Sequence, residues 1–331
     1  MAPVNDLPDP YRAILQWQHL PEGRVMGAAA GIDIDPDGRS VWVAERCGAN
    51  SCKDSSLPMI MKFDSSGRVL RAFGAGTLVT PHGIYVDREG NVWVTDMGLD
   101  EVGHRGDVVV KFSPEGKVLM TLGTPGLPGM GPDTFTQPCD VVVAPSGEIF
   151  VSDGHSGQDA GATAAMSGRI IKFSRDGKFI KSWGRLGSGP GEFKNPHGLA
   201  FDSAGRLFVA DRGNNRIQIF DQEGNYLTEW HQFSRPSGIY IRGDVVYVSD
   251  SESRVTNHPG GWKRGVRVGS AKTGEVKYFI PWLPEPNPDA PAGGMEGVAA
   301  DAAGNIYGSN TYLREFFPAV SWGEIRKFVK E

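Results

Sequence analysis

Short apolar runs recur along the chain and are separated by polar, glycine-containing turns. One apolar run, a turn with glycine and a second apolar run that ends in an acidic or amide residue form a unit that predicts a β-hairpin. The unit occurs six times, as in HGIYVDREGNVWVTD and HGLAFDSAGRLFVAD, and starts at Gly31, His82, Cys139, His197, Ser237 and Glu296. A repeat of this kind indicates one architecture built from equivalent modules.

Each hairpin is followed by a third apolar run, such as VVVKFSPEG or RIIKFSRDG, and five of the six units continue into a fourth run. The last third run, EIRKFVKE, has no successor because the chain ends at Glu331. At the other end, AILQW at residues 13–17 has the pattern of a fourth strand and no other partner. We therefore predict an all-β fold over residues 1–331. It is a single-domain six-bladed β-propeller with four-stranded blades, closed by the N-terminal strand joining the last blade.

Charge and hydropathy narrow the classes of partner. The net charge is −5 and the isoelectric point is about 5.8, and no stripe of Lys and Arg offsets this balance, so we expect no nucleic-acid partner. No run approaches the roughly 18 apolar residues of a membrane span, so we expect no membrane partner. The N-terminus lacks a basic start followed by an apolar segment, which predicts a cytoplasmic location.

The chain has three cysteines, too few and too odd in number for a disulfide scaffold. Cys47 and Cys52 are close enough in sequence to form one local bridge. The favoured alternative is a pair of reduced loop thiols, as in cytosolic proteins. A single CxxxxC pair is a weak zinc signal.

The residue at the entry of each inner strand predicts a ring around the propeller axis. In blade order these residues are Ala30, His82, Cys139, His197, Ser237 and Glu296. Blades 2, 4 and 6 thus carry His82, His197 and Glu296, about a third of a turn apart, whereas the other blades carry small residues. Three such ligands would leave further coordination positions open, as a catalytic metal requires. A histidine at a strand entry can also simply hydrogen-bond a turn.

The segments PHGIYVDREGNVWVTD and NPHGLAFDSAGRLFVADRGNNRIQIF resemble NHL repeats. From about Arg12 onward the chain is also similar to the catalytic domain of peptidyl-α-hydroxyglycine α-amidating lyase. That resemblance implies a zinc held by three histidines at the central mouth, two of which match His82 and His197. The third matches Glu296, and two histidines with one carboxylate suit zinc and also non-haem iron. The aspartate of the family's structural calcium corresponds to Gly297, so no calcium is expected.

The same resemblance suggests catalytic residues. The family's arginine for the substrate carboxylate corresponds to Arg46 in VWVAERCG, and a guanidinium fork suits a carboxylate. The family's catalytic tyrosine follows an SDG motif, where this chain has His155, an alternative group for proton transfer. Tyr312 has the matching offset in blade 6 and is a second candidate. The alternative is that Arg46 is a structural residue that pairs with Glu45 or Asp33.

These residues predict a metal-dependent lyase acting on a small hydroxylated carboxylate, with a divalent metal, zinc before iron, as cofactor. Two alternatives remain. A hydrolase of lactones or amides would use the same site. A non-enzymatic NHL module would instead bind another macromolecule with a rigid face.

Overall fold

The structure of the chain is a computed structural model that describes residues 2–100, 102–163, 166, 168–253, 258, 260–282, 294–311 and 324–331. In this part of the chain the strands form six four-stranded antiparallel sheets, which confirms the predicted six-bladed propeller. Glycines with positive φ, among them Gly90 (82°) and Gly205 (78°), lie in the hairpin turns between the first two strands of a blade. Such turns need a residue without a Cβ.

In blades 1 to 3 the strands follow one another in chain order from the axis outward. Blade 1 consists of β2 (Gly31–Ile34), β3 (Val41–Ala44), β4 (Ile60–Phe63) and β5 (Val69–Phe73). Blade 2 consists of β6 (Pro81–Val86), β7 (Val92–Leu99), β8 (Gly106–Phe112) and β9 (Val118–Leu122). Blade 3 consists of β10 (Pro138–Val143), β11 (Ile149–Asp153), β12 (Arg169–Phe173) and β13 (Phe179–Trp183).

Blades 4 and 5 repeat this order, and blade 6 takes its fourth strand from the other end of the chain. Blade 4 consists of β14 (Pro196–Phe201), β15 (Leu207–Asp211), β16 (Arg216–Phe220) and β17 (Tyr226–Trp230). Blade 5 consists of β18 (Ile239–Arg242), β19 (Val245–Asp250), β20 (Gly265–Ser270) and β21 (Val276–Pro281). Blade 6 consists of β22 (Met295–Ala300), β23 (Ile306–Asn310), β24 (Arg326–Lys330) and β1 (Tyr11–Ile14). Short 3₁₀ helices follow β11 at His155–Gln158 and β15 at Arg212–Asn214.

The N-terminal strand closes the ring as predicted. β1 pairs antiparallel with β24, and Ala13 lies opposite Phe328. The strand ends at Ile14 rather than continuing to residue 17, because the chain turns at Gln16, whose φ is 51°. Trp17 leaves the strand direction and is buried, with its ring 5.0 Å from that of Tyr307. This contact joins the N-terminal segment to the core between blades 6 and 1.

The favoured expectation of two reduced thiols is wrong. Cys47 and Cys52 form a disulfide with a Cα–Cα distance of 5.1 Å. The turn after β3 brings their two Cβ atoms together, which the sequence spacing allowed but did not require. Disulfides persist mainly in oxidising compartments, and the cytoplasmic location stays a prediction.

The apolar core lies between neighbouring blades, where one face of each sheet packs on the next. Large side chains such as Trp42, Trp93 and Phe150 are almost fully buried there. Within the described ranges no helix has the length and apolar character needed to cross a membrane.

We expect Trp17→Ala to destabilise the protein by about 3–5 kcal/mol, because it removes a buried indole from the joint between the first and last blades. Leu15→Ala is the matched control, since Leu15 is 50% exposed in the same segment, and should change the free energy of unfolding by less than about 0.5 kcal/mol. Denaturant unfolding of both variants measures the difference. Equal stability of the two variants would show that Trp17 does not hold the ring closed.

Candidate metal centre at the propeller axis

The inner strands approach one another closely at the axis because of the glycines that follow the ring residues. A Cβ on Gly83 would lie 2.5 Å from the backbone oxygen of Cys139 in blade 3. A Cβ on Gly198 would lie 2.6 Å from the backbone oxygen of Ser237 in blade 5. Since real Cβ atoms do not come so close to a carbonyl, the PHG motif requires glycine to bring each histidine beside the next blade.

The same two carbonyls orient the two histidines. Nδ1 of His82 lies 2.8 Å from the oxygen of Cys139, and Nδ1 of His197 lies 3.0 Å from the oxygen of Ser237. A carbonyl only accepts hydrogen bonds, so each Nδ1 carries the proton and donates it. Each neutral ring then presents a lone pair on Nε2, which is the usual arrangement of a metal-binding histidine.

Oε1 of Glu296 faces both of these lone pairs. This oxygen lies 3.0 Å from Nε2 of His197 and 3.7 Å from Nε2 of His82. Nε2 of His82 is buried and makes no hydrogen bond in the described part of the chain. The ring predicted from the repeat is therefore assembled, and its lone pairs and carboxylate converge at one point.

His155 also belongs to this cluster. The ligand atoms of His82, His155, His197 and Glu296 all lie within 4.8 Å of one another. The His155 ring comes from the 3₁₀ helix after β11, and its centroid is 5.1 Å from that of His82. The prediction that His155 lies at the mouth is thus met, while its role stays a prediction. Tyr312 lies outside the described residues.

Arg212 is the main residue of the site that the sequence reasoning missed. Its Nη1 donates to Oε1 of Glu296 at 3.1 Å and lies 3.5 Å from Oε1 of Glu252, and its Nη2 lies 3.2 Å from Nε2 of His155. The side chain is only 1% exposed. A signal was available, because Arg212 follows Asp211 in FVADRG as Arg46 follows Glu45 in WVAERC.

Arg46 follows β3 of blade 1 and reaches the edge of blade 2 beside the site. Its Nε donates to the carbonyl of Pro81 at 3.2 Å, directly before His82, and its Nη1 donates to Oδ1 of Asn50 at 2.6 Å. The structural alternative does not hold. Glu45 pairs with Arg24, and the carboxylate of Asp33 accepts from the backbone of Val86. Among the described residues Nη2 of Arg46 has no hydrogen-bond partner.

Electrostatics favour neutral imidazoles and an ionised carboxylate at the site. Burial, followed by the charge of Arg212, lowers the pKa of His197 to about 3. The same two causes lower the pKa of His155 well below its usual range. Burial on its own would raise the pKa of Glu296, but the buried charge of Arg212 beside it helps to hold that pKa well below the usual range.

This donor set fits a divalent metal. Ligands at 2.0–2.2 Å from a tetrahedral ion lie about 3.3–3.6 Å from one another. The two distances between Glu296 and the histidines, 3.0 and 3.7 Å, bracket that range. A carboxylate facing two lone pairs is unfavourable without a cation between them. His82, His197 and Glu296 would hold such an ion, and the donor set alone does not choose between zinc and iron.

Comparison with known proteins agrees with the fold. The NHL repeat family matches residues 193–220, which include His197 and Arg212. Human "NHL repeat-containing protein 3" is 35% identical over 247 residues, which is 72% of this chain and 65% of that protein. Mouse "Peptidyl-glycine alpha-amidating monooxygenase" is 40% identical over 229 residues, or 62% of this chain and 22% of that protein.

A third relative bears the name of the lyase itself. Drosophila melanogaster "Peptidyl-alpha-hydroxyglycine alpha-amidating lyase 1" is 31% identical over 215 residues, 59% of this chain and 36% of that protein. The chain is an NHL-repeat propeller related to the amidating lyases. This NHL-repeat propeller spans less than two thirds of each of these three relatives.

We expect the purified NHL-repeat propeller to bind about one Zn²⁺ per chain, and His82→Ala or His197→Ala to weaken binding by more than about 100-fold. Loss of a group that merely orients a ligand costs roughly 10–100-fold, so loss of a ligand should exceed that. Elemental analysis after dialysis and competition with a chelator measure the change.

His231→Ala is the control for the metal experiment. The His231 side chain is half exposed, and its one hydrogen bond among the described residues is to Glu229, so its removal should leave zinc binding unchanged. Full retention of zinc in His197→Ala would contradict the assignment of this ligand set.

Proposed function

We propose that this propeller is a metal-dependent lyase that cleaves a small α-hydroxylated amide bearing a carboxylate. The observation that carries the proposal is the convergence of Nε2 of His82, Nε2 of His197 and Oε1 of Glu296 at the axis. Beside them lies Arg46, whose Nη2 has no hydrogen-bond partner among the described residues. The relationship to the amidating lyases supports the reaction class.

Arg46 is the residue proposed to bind the substrate carboxylate. Arg46 and Arg212 each follow an acidic residue at the end of a strand, and they differ in the partners of their side chains. The Arg212 side chain already contacts Glu296, Glu252 and His155. The Arg46 side chain makes only the two hydrogen bonds to Pro81 and Asn50 in the described part of the chain. Arg46 can therefore offer a donor to a ligand without giving up an internal partner.

His155 is proposed to handle the proton. Because a guanidinium only donates, Nε2 of His155 accepts from Arg212, and its other nitrogen carries the hydrogen. With that lone pair used by Arg212, the ligand set that remains is His82, His197 and Glu296. His155 is neutral and lies within reach of the same point, as a proton-transfer group requires.

The reaction balances without a further co-reactant. The hydroxyl of the carbinolamide loses its proton, a carbon–oxygen double bond forms and the carbon–nitrogen bond breaks. The amide nitrogen takes up the proton, and the products are an amide and a two-carbon aldehyde acid. A bound divalent ion would lower the pKa of the hydroxyl. Arg46 holds the carboxylate through these changes. His155 would pass the proton from oxygen to nitrogen through Nε2, which must first exchange its contact with Arg212 for the substrate hydroxyl.

Hydrolysis is the alternative for the same residues, because three ligands with open positions would equally activate a water. A screen of the zinc-loaded protein against an α-hydroxyglycine amide, a lactone and a simple amide separates the two reactions. Activity on the lactone or amide alone would replace the lyase proposal. If the protein does not bind zinc and is inactive on all three compounds, the non-enzymatic NHL module is favoured.

We expect Arg46→Ala to lower turnover of N-benzoyl-α-hydroxyglycine by about 1.5–3 kcal/mol in kcat/KM, the magnitude of a hydrogen bond to a charged group. Arg46→Lys should be nearly as impaired, because an ammonium cannot reproduce the planar fork. Zinc content should not change, since Arg46 is not a ligand.

Arg68→Ala is the control, because Arg68 lies in the same blade, its side chain is 75% exposed, and its ion pair among the described residues is with Asp64. It should leave kcat/KM unchanged. Wild-type activity in Arg46→Ala on every substrate turned over would sink the carboxylate assignment.

A further inference from the structure

Arg46 begins a tight turn that is unfavourable for its sequence. The backbone N–H of Ala49 donates to the carbonyl of Arg46 at 2.9 Å. The two residues between them, Cys47 and Gly48, have φ values of 55° and 74°. Two positive values in succession are readily adopted by glycine but not by a residue with a Cβ. Cys47 therefore needs an outside constraint to stay in this conformation.

The disulfide is one such constraint. It joins Cys47 to Cys52, whose side chain is fully buried and whose backbone N–H donates to the carbonyl of Val79 at 2.7 Å. Val79 lies in the segment that leads into β6 and His82. The loop that follows Arg46 is thus tied to the blade that carries a candidate metal ligand.

Asn50 lies inside the loop closed by the disulfide and contacts Arg46 directly. Its Oδ1 accepts from Nη1 of Arg46 at 2.6 Å, while the carbonyl of Pro81 accepts from Nε at 3.2 Å. Two acceptors on different nitrogens fix the plane of the guanidinium. They leave Nη2 as the nitrogen for a ligand.

The loop does not need the Asn50 side chain for its own conformation. Its base is held by Glu45, whose Oε2 accepts from the backbone of Gly27 at 2.6 Å and of Gly48 at 2.9 Å. Asn50 itself is exposed, and Arg46 is the one described partner of its side chain. Its side-chain contact therefore serves the arginine rather than the turn.

We propose that Asn50 is a positioning residue for Arg46, and that the Cys47–Cys52 disulfide holds Asn50 in place, so that carboxylate binding requires the oxidised loop. This inference rests on the proposed role of Arg46 in binding the substrate carboxylate. It adds a dependence on redox state that the metal ligands, which lie on other blades, do not share.

The first test is binding of hippurate, an unreactive N-acylglycine, to the zinc-loaded protein by calorimetry. Asn50→Ala should weaken binding about tenfold, the loss of one hydrogen bond to a charged group. Asn50→Gln keeps an uncharged amide acceptor and should stay closer to wild type than Asn50→Ala. Ser51→Ala is the matched control, because the Ser51 hydroxyl bonds the carbonyl of Val79 and not Arg46. Wild-type affinity in Asn50→Ala would overturn the proposal.

The second test removes the disulfide. The double variant Cys47→Ser, Cys52→Ser and the wild type treated with a phosphine reductant should both show the same roughly tenfold loss of hippurate binding. Their zinc content should equal that of the oxidised wild type. Unchanged hippurate affinity in the folded double variant would show that the disulfide does not position Asn50.

A third measurement separates this inference from the proposed function. The Nε–H signal of Arg46 in a ¹⁵N spectrum is identified by its loss in Arg46→Lys, and its hydrogen bond to Pro81 should protect it from exchange. Faster exchange in Asn50→Ala supports the positioning role even if hippurate binds no variant, an outcome that would refute the carboxylate site alone. Unchanged exchange in Asn50→Ala would overturn the positioning role.

Discussion

The close approach of the inner strands at the axis is the constraint on which the site depends. Gly83 and Gly198 lack the Cβ that would collide with a carbonyl of the next blade, so those carbonyls come within reach of the histidines. The hydrogen bonds from His82 and His197 to Cys139 and Ser237 then decide which nitrogen of each ring faces the axis. Blade packing and ligand orientation depend on the same two carbonyls, because each carbonyl packs against a glycine and accepts a hydrogen bond from the histidine before that glycine.

Charge at the mouth is distributed unevenly between two equivalent positions. Arg46 and Arg212 both follow the acid that ends the second strand of a blade, in blades 1 and 4, and these blades face each other across the axis. Arg212 is neutralised by Glu296 and Glu252, which keeps a buried cation close to the candidate ligands. Arg46 has no carboxylate within hydrogen-bond distance among the described residues. A ligand that carries its own carboxylate would complete the pattern on that side.

The strand-end acids themselves are structural. Asp96 accepts from the backbone of Val79 and Thr80, and Asp211 accepts from the backbone of Lys194 and pairs with Arg216. Each carboxylate therefore ties the end of a strand to the loop that enters the same blade. Glu45 does the same in blade 1, with one more methylene, and makes no ion pair with the following Arg46. The arginines of the site therefore directly follow acidic residues that hold the blades together.

The repeat pattern by itself determined the fold, the closure by the N-terminal strand and the ring of His82, His197 and Glu296. It could do so because equivalent positions of a closed repeat must surround one axis, whatever the details of the blades. Only the tertiary structure decided what the loops contribute. Arg212 reaches Glu296, and His155 joins the histidines, through 3₁₀ turns whose direction no periodicity encodes. The Cys47–Cys52 bridge likewise depended on a left-handed residue at Cys47, a conformation that local sequence preference disfavours and that the surrounding contacts impose.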